Sequence, residues 1–280
     1  MRFDYYTRYR DSFKLLAHTD SRLLYGALVA CLVLLPVVGS AFVLGEVTYV
    51  FILCIAALGL MLLTGYTGQV SLGHAAFVAI GAYAHAWLMS KGMPLLVSIP
   101  VAGLITGFAG LLLGIPAIRV SGLYLIMVTM AFAIIVEQLI GHWESVTGGF
   151  TGMAVEPARI GDWSLASPTA FYYLCLAVLV LVLLGMINLL RSSIGRAFMG
   201  VRDSEAAAYS LGIHVRAVKV AAFAVSAGVT GIAGALIAHH LQYLTPDGFT
   251  LLLSLELVLM VVIGGVGSLR GAILGAVLIS

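Results

Sequence analysis

The feature that limits this chain most is where its charges are missing. Asp, Glu, Lys and Arg are absent from 23–45, 47–90, 92–118, 120–136, 163–190 and 220–246. A membrane-crossing helix needs about 20 mostly apolar residues, and in lipid its backbone must satisfy its own hydrogen bonds. Each gap holds one such helix and 47–90 has room for two. That predicts spans near 22–40, 47–64, 70–90, 95–115, 120–141, 168–190 and 218–240, then a shorter apolar segment at 250–266 and another starting near 271. The expected fold is an all-α polytopic membrane protein, a helical bundle with about 8–9 membrane segments, some broken or re-entrant. The apolar runs do not alternate with polar residues, which excludes a membrane β-barrel. Only 9% of residues are charged, against roughly 25% in soluble domains. A soluble domain, a disordered chain and a nucleic-acid binder are therefore excluded.

The charges that exist give an orientation. Arg2, Arg8, Arg10, Lys14 and Arg22 precede the first span, and Arg191, Arg196, Arg202, Arg216 and Lys219 follow the sixth. Basic loops stay on the cytoplasmic side, and the six spans between the clusters keep both there. Residues 1–22 are then a cytoplasmic N-terminal segment and 23–280 a transmembrane domain, with an outer loop at 141–167 and a cytoplasmic loop at 191–217. Trp87, Trp143 and Trp163 fall at expected outer ends, where interfacial aromatics anchor. A cleaved signal peptide over 1–41 is the alternative, with an unusually long charged region.

Enzyme signatures are missing. None of Lys14, Lys91 and Lys219 lies in a phosphate-cradling G-x-x-x-x-G-K-[ST] loop, and no zinc or nucleophile-elbow pattern occurs. Cys31, Cys54 and Cys175 fall inside apolar spans and read as small buried hydrophobes. No metal or cofactor is expected. Transport, channel or assembly work remains.

Two polar features stand out. The first is Gly65-Tyr66-Thr67-Gly68-Gln69-Val70-Ser71-Leu72-Gly73-His74, in the middle of the long uncharged run. It is either a broken helix lining a substrate path or a turn between spans followed by small residues for close packing. Leu60-Met61, Gly65 and Gly68 return as Leu259-Met260, Gly264 and Gly267, with Ser71-Leu72 matched by Ser268-Leu269. That pattern reads as a diverged parallel repeat, with chance similarity in Gly/Leu-rich sequence as its competitor. Ionisable groups in spans default to functional hypotheses. Glu137 is the leading path candidate, or a carboxylate reaching the outer interface. Glu256 is central in its short segment. Glu46 and His239–His240 lie near span ends, where solvation accounts for them.

The second feature is the cytoplasmic loop. Asp203 or Ser204 can N-cap a helix from Glu205 to Leu211 that Gly212 ends. Two turns are marginal alone, so this helix needs something to dock on, or else the loop rests on anionic lipid headgroups. Glu205-Ala206-Ala207 followed by Gly212 resembles the EAA loop of ABC importer permeases. The stretch from Ile194-Gly195-Arg196-Ala197 through Val201-Arg202-Asp203-Ser204-Glu205 to Leu211-Gly212-Ile213 resembles LivM-type permeases of branched-chain amino acid importers. Residues 65–74, Thr147-Gly148-Gly149 with Gly152, and Gly264-Gly265-Val266-Gly267-Ser268 agree with that family. In the EAA pattern Gly comes six residues after the Glu, where this chain has Leu211.

The resemblance implies a multi-pass permease of a bacterial inner membrane, N-terminus cytoplasmic. It implies a second homologous permease, two ATP-binding subunits and an extracytoplasmic binding protein as partners, with lipid around them. Arg196, Arg202, Asp203, Glu205, Ala206, Ala207 and Gly212 would form the coupling loop, the two arginines steadying the contact. Gly65, Tyr66, Thr67, Gly68, Gln69, Ser71, Gly73, His74 and Glu137 would line the path. Urea and short-amide permeases share the scaffold. Such permeases continue past the span that starts at Gly271, so the last span here is expected to be cut short or unpaired. Two other classes stay open: a secondary transporter with Glu137, His74 and Glu256 as a proton route, and a non-transporting assembly subunit.

Overall fold

Long apolar runs without charge can satisfy their backbones only as helices in lipid, and helices dominate this protein. The structure, a computed structural model, describes residues 29–37, 39–155, 159–160, 163–164 and 167–280. The expectations that concern Arg2, Arg8, Arg10, Lys14 and Arg22 lie outside the described residues. The chain forms two units, 1–44 and 45–280. In the first, 29–37 is helical.

The helices that follow are α1 (Ala41–Met61), which passes into a π-turn (Leu62–Tyr66), α2 (His74–Ser90), α3 (Leu95–Ala117), α4 (Leu123–His142) and the short α5 (Glu144–Thr147). Then come α6 (Pro168–Arg191), α7 (Ser193–Asp203), α8 (Glu205–Ser210), α9 (Val215–Leu241), α10 (Leu251–Gly264) and α11 (Leu269–Ile279). Among the described residues, six segments are long and apolar enough to cross a membrane: Ala41–Tyr66, Leu95–Ala117, Leu123–His142, Pro168–Arg191, Val215–Leu241 and Pro246–Gly264. α2 and α11 are apolar but shorter, about 26 Å and 16 Å at 1.5 Å per residue, against a hydrocarbon core of about 30 Å.

Lipid tails are as apolar as leucine, so helix association here must come from close backbone approach. α9 supplies it. Gly103, Gly107, Gly110 and Gly114 of α3 face it, and a β-carbon on Gly110 would lie 2.7 Å from the Phe223 carbonyl oxygen. On the other side, a β-carbon on Gly81 of α2 would collide with the Gly231 carbonyl, and one on Gly234 with that of Val78. The pairings run 114 to 220 and 103 to 232 along α3, and 74 to 226 and 85 to 239 along α2. α9 is thus antiparallel to α3 and parallel to α2, the relative senses that the span count requires.

One apolar core joins the π-turn to the helices around it, through Leu62, Leu63, Phe77, Leu125, Met186, Phe198 and Phe223. Two antiparallel strand pairs close the remaining links. β1 (Met153–Ala154) pairs with β4 (Tyr243–Leu244), and β2 (Arg159–Ile160) with β3 (Trp163–Ser164). The Tyr243 hydroxyl donates to the Thr151 carbonyl and ties the first pair down.

Candidate functional site at two glycine breaks

The run after α1 stops being an α-helix for local reasons. Thr67 Oγ1 donates to the Leu63 carbonyl at 2.6 Å, and the Gln69 amide reaches the same oxygen at 3.1 Å. Gln69 Nε2 then donates to Thr67 Oγ1 at 3.0 Å. A threonine bonding back to residue i−4 competes with the backbone ladder, and Gly68, at φ +70°, turns the chain out of it.

The backbone from 67 to 75 is largely buried, so each group needs a partner. Ser71 Oγ accepts from the Gly73 amide, Thr129 Oγ1 of α4 accepts from Leu72, and Ser254 Oγ of α10 accepts from Ala75. Ser226 Oγ donates to the Gly59 carbonyl at 2.7 Å, so His74 Nε2, at 2.9 Å from that hydroxyl, must be the donor to it. The helix is interrupted between Tyr66 and His74, and small residues such as Gly81 pack closely after it, which both readings open from sequence allow. Thr64 Oγ1, Gln69 Oε1, His74 Nδ1 and Thr230 Oγ1 are buried with no protein partner in this arrangement.

A second break lies against the first. α10 ends at Gly264, Gly265 and Gly267 take φ +104° and +89°, and Ser268 caps α11 by accepting from the Gly271 amide. A β-carbon on Gly65 would sit 2.5 Å from the Gly267 amide nitrogen. The two halves of the suspected repeat therefore meet backbone to backbone at their glycines.

α7 and α8 lie next to these breaks. Ser192 Oγ caps α7 through the Ile194 and Gly195 amides, and Phe198 and Val201 bury its apolar face. Ser204 Oγ caps α8 through the Ala207 amide, and Gly212, at φ +80°, lies just beyond its end. The short helix expected from Glu205 is thus present with the Ser204 cap. α7 was not foreseen, although Ile194, Phe198 and Val201 at spacings of four and three carry its signal. Ala208 is buried, whereas Ala206 and Ala207 are exposed and Tyr209 and Leu211 are 76% and 80% exposed.

The charged residues divide by direction. Arg196 is exposed and donates to the Arg191 carbonyl. Arg202 uses Nε and Nη2 on Asp203 Oδ1, both at 3.0 Å, and turns Nη1 onto the Gly65 carbonyl at 3.0 Å. Tyr66 is half-buried beside it. Glu205 Oε1 pairs at 2.6 Å with Nζ of Lys219, which is buried on α9. Sequence reasoning missed this pair, which spans two elements, and also the buried His85–His239 pair, with Nε2 atoms 2.8 Å apart. The structure brings 65–74 together with Arg202 but does not bring in Glu137, which lies half-buried about 12 Å along α4 from Thr129.

Comparison with known proteins decides the family. Residues 42–280 match the family described as branched-chain amino acid transport system / permease component. The chain belongs to that permease family. It is 36% identical over 280 aligned positions to the high-affinity branched-chain amino acid transport system permease protein LivM of Escherichia coli, covering 90% of this chain and 66% of that one. The LivM protein of Salmonella typhimurium is also 36% identical, over 83% of this chain and 60% of its own. The autoinducer 2 import system permease protein LsrC of an Enterobacter strain is 31% identical, over 80% and 57%. The chain thus spans less than two thirds of the length of these curated relatives. No solved structure matches it. With six long apolar helices, this member of the permease family is a multi-pass membrane protein.

Proposed function

We propose that this chain is a permease subunit of an ABC importer in the bacterial inner membrane, N-terminus cytoplasmic. It passes branched-chain or related amino acids delivered by an extracytoplasmic binding protein. A second related permease and two ATP-binding subunits complete the machine, and ATP hydrolysis in those subunits drives it. The family and the named relatives support this reading. The observation that carries it is the α7–α8 pair: two capped helices, anchored by Phe198 and Val201, that present Ala206, Ala207, Tyr209 and Leu211 unburied. A short helix with an exposed apolar end suits insertion into a partner's groove. In this reading 29–37, α2 and α11 join the six long segments as membrane segments, with the two broken pairs entering as partial spans.

The path runs by the first break, at Gly65, Tyr66, Thr67, Gly68, Gln69, Ser71, Gly73 and His74. The unpartnered atoms of Thr64, Gln69, His74 and Thr230 support it, because buried polar groups are costly unless another state or ligand satisfies them. The test is affinity purification from native membranes. A P-loop ATPase should co-purify, Leu211→Asp should release it, and vesicles holding the complex should take up leucine only with ATP. Uptake driven by a proton gradient without any ATPase would refute the reading.

A further inference from the structure

Gly65 is the last buried position of the π-turn, and the chain leaves the helix just beyond it. A carbonyl at such an end loses its intrahelical donor and must find another. Here the donor is Arg202 Nη1, from 137 residues away in sequence. The same side chain lies against the other glycines of the junction. A β-carbon on Gly68 would be 3.3 Å from Arg202 Cγ, and one on Gly267 would be 3.5 Å from Nη1. Asp203 holds the opposite edge of the guanidinium through two bonds, which fixes its plane. Arg202 is near the end of α7, two residues before the Ser204 cap that starts α8.

From this geometry we infer that Arg202 is a positioning residue, a strut that carries displacement of α7 and α8 to both glycine breaks at once. The family resemblance implied a place for Arg202 at the partner contact. Its bond to Gly65 directs it into the membrane domain instead. Both breaks then respond together, because Gly65 and Gly267 are in contact and share one lever. Gly65 and Gly267 have no side chain of their own to grip, and at these two positions the grip comes from α7. The coupling role rests on the importer reading above, but the strut itself does not.

The experiment therefore has two arms. In the first, the chain alone, in lipid nanodiscs, is followed by amide hydrogen exchange in wild type, Arg202→Met and Arg202→Lys. Loss of one charge-assisted bond should speed exchange about tenfold in peptides covering both breaks, and Arg202→Lys should recover part of it. Peptides of α8 and α9 should not change. Acceleration confined to the first break, or spread evenly over the molecule, overturns the strut. In the second arm, the complex with its ATPase subunits is reconstituted. Arg202→Met should retain the ATPase and its hydrolysis but lose about tenfold in leucine uptake, and Arg202→Lys should restore most of it. Uptake that falls only in step with hydrolysis overturns the coupling role. If Arg202→Met does not fold, Asp203→Asn, which frees the guanidinium, decides the matter through the same readouts with a smaller shift. Wild type that captures no ATPase refutes the importer reading and leaves the exchange arm to judge the strut.

Discussion

Replacing Glu205 by Gln should destabilise the protein much more than replacing Lys219 by Met. The two charges are 2.6 Å apart, yet the Lys219 side chain is 7% exposed and that of Glu205 53%. Glu205→Gln therefore leaves an ammonium buried without its counter-charge. Breaking a fully buried pair costs about 3–5 kcal/mol and an exposed one about 0–1 kcal/mol. With one partner half in solvent, the expected cost is about 1–2 kcal/mol. Lys219→Met leaves a carboxylate that can hydrate, and the methionine keeps the packing of the lysine stem, so its cost stays below about 0.5 kcal/mol. The double variant should match Lys219→Met, giving a coupling of about 1–2 kcal/mol in the cycle. Thermal unfolding in detergent, at about 2–4 °C per kcal/mol, should lower the midpoint by about 3–6 °C for Glu205→Gln and under about 2 °C for Lys219→Met. Equal losses, or the reverse order, would refute the argument that one partner is buried and the other is not. Because Lys219→Met leaves Glu205 in place, it should also retain the captured ATPase.

Three further outcomes follow from the same geometry. Gly275→Leu on α11 puts a β-carbon into the Met260 carbonyl; overpacking at backbone contact costs more than about 2 kcal/mol, and size-exclusion profiles should show loss of the monodisperse peak. Thr129→Val removes the acceptor for the Leu72 amide and leaves that part-buried donor unpaired. A penalty of about 1–3 kcal/mol is expected in thermal unfolding, with faster exchange around 71–73. Tyr209→Asp changes a 76% exposed side chain, so stability in thermal unfolding should change by less than about 0.5 kcal/mol while ATPase capture is lost.

The spans were legible because charge is so costly in lipid that its absence marks where helices lie. α3 at Leu95–Ala117 and α6 at Pro168–Arg191 fall within a few residues of the charge-free runs. The break at 67–73 was legible as an interruption but not as a buried one. Deciding that required Thr129 of α4 and Ser254 of α10, which supply its missing partners from 57 and 179 residues away. The Ser204 cap and the turn at Gly212 are local chemistry and could be read directly. The direction of Arg202, the Lys219 partner of Glu205 and the His85–His239 pair depend on tertiary placement, and no spacing rule carries them.

The glycine faces of α9 have a consequence for how lipid acts on this protein. Where α9 meets α2 and α3, main chain touches main chain, so no acyl tail can wedge in and no soft layer is there to be squeezed. Changes in bilayer thickness or pressure must pass these three helices over as a single plank. α4 and α6 differ: only 28% and 17% of their spans are buried, and they turn Met127, Ile135, Leu181 and Leu184 outward. Sensitivity to the surrounding bilayer should enter through that pair and through the equally exposed Pro246–Gly264 segment, also 28% buried.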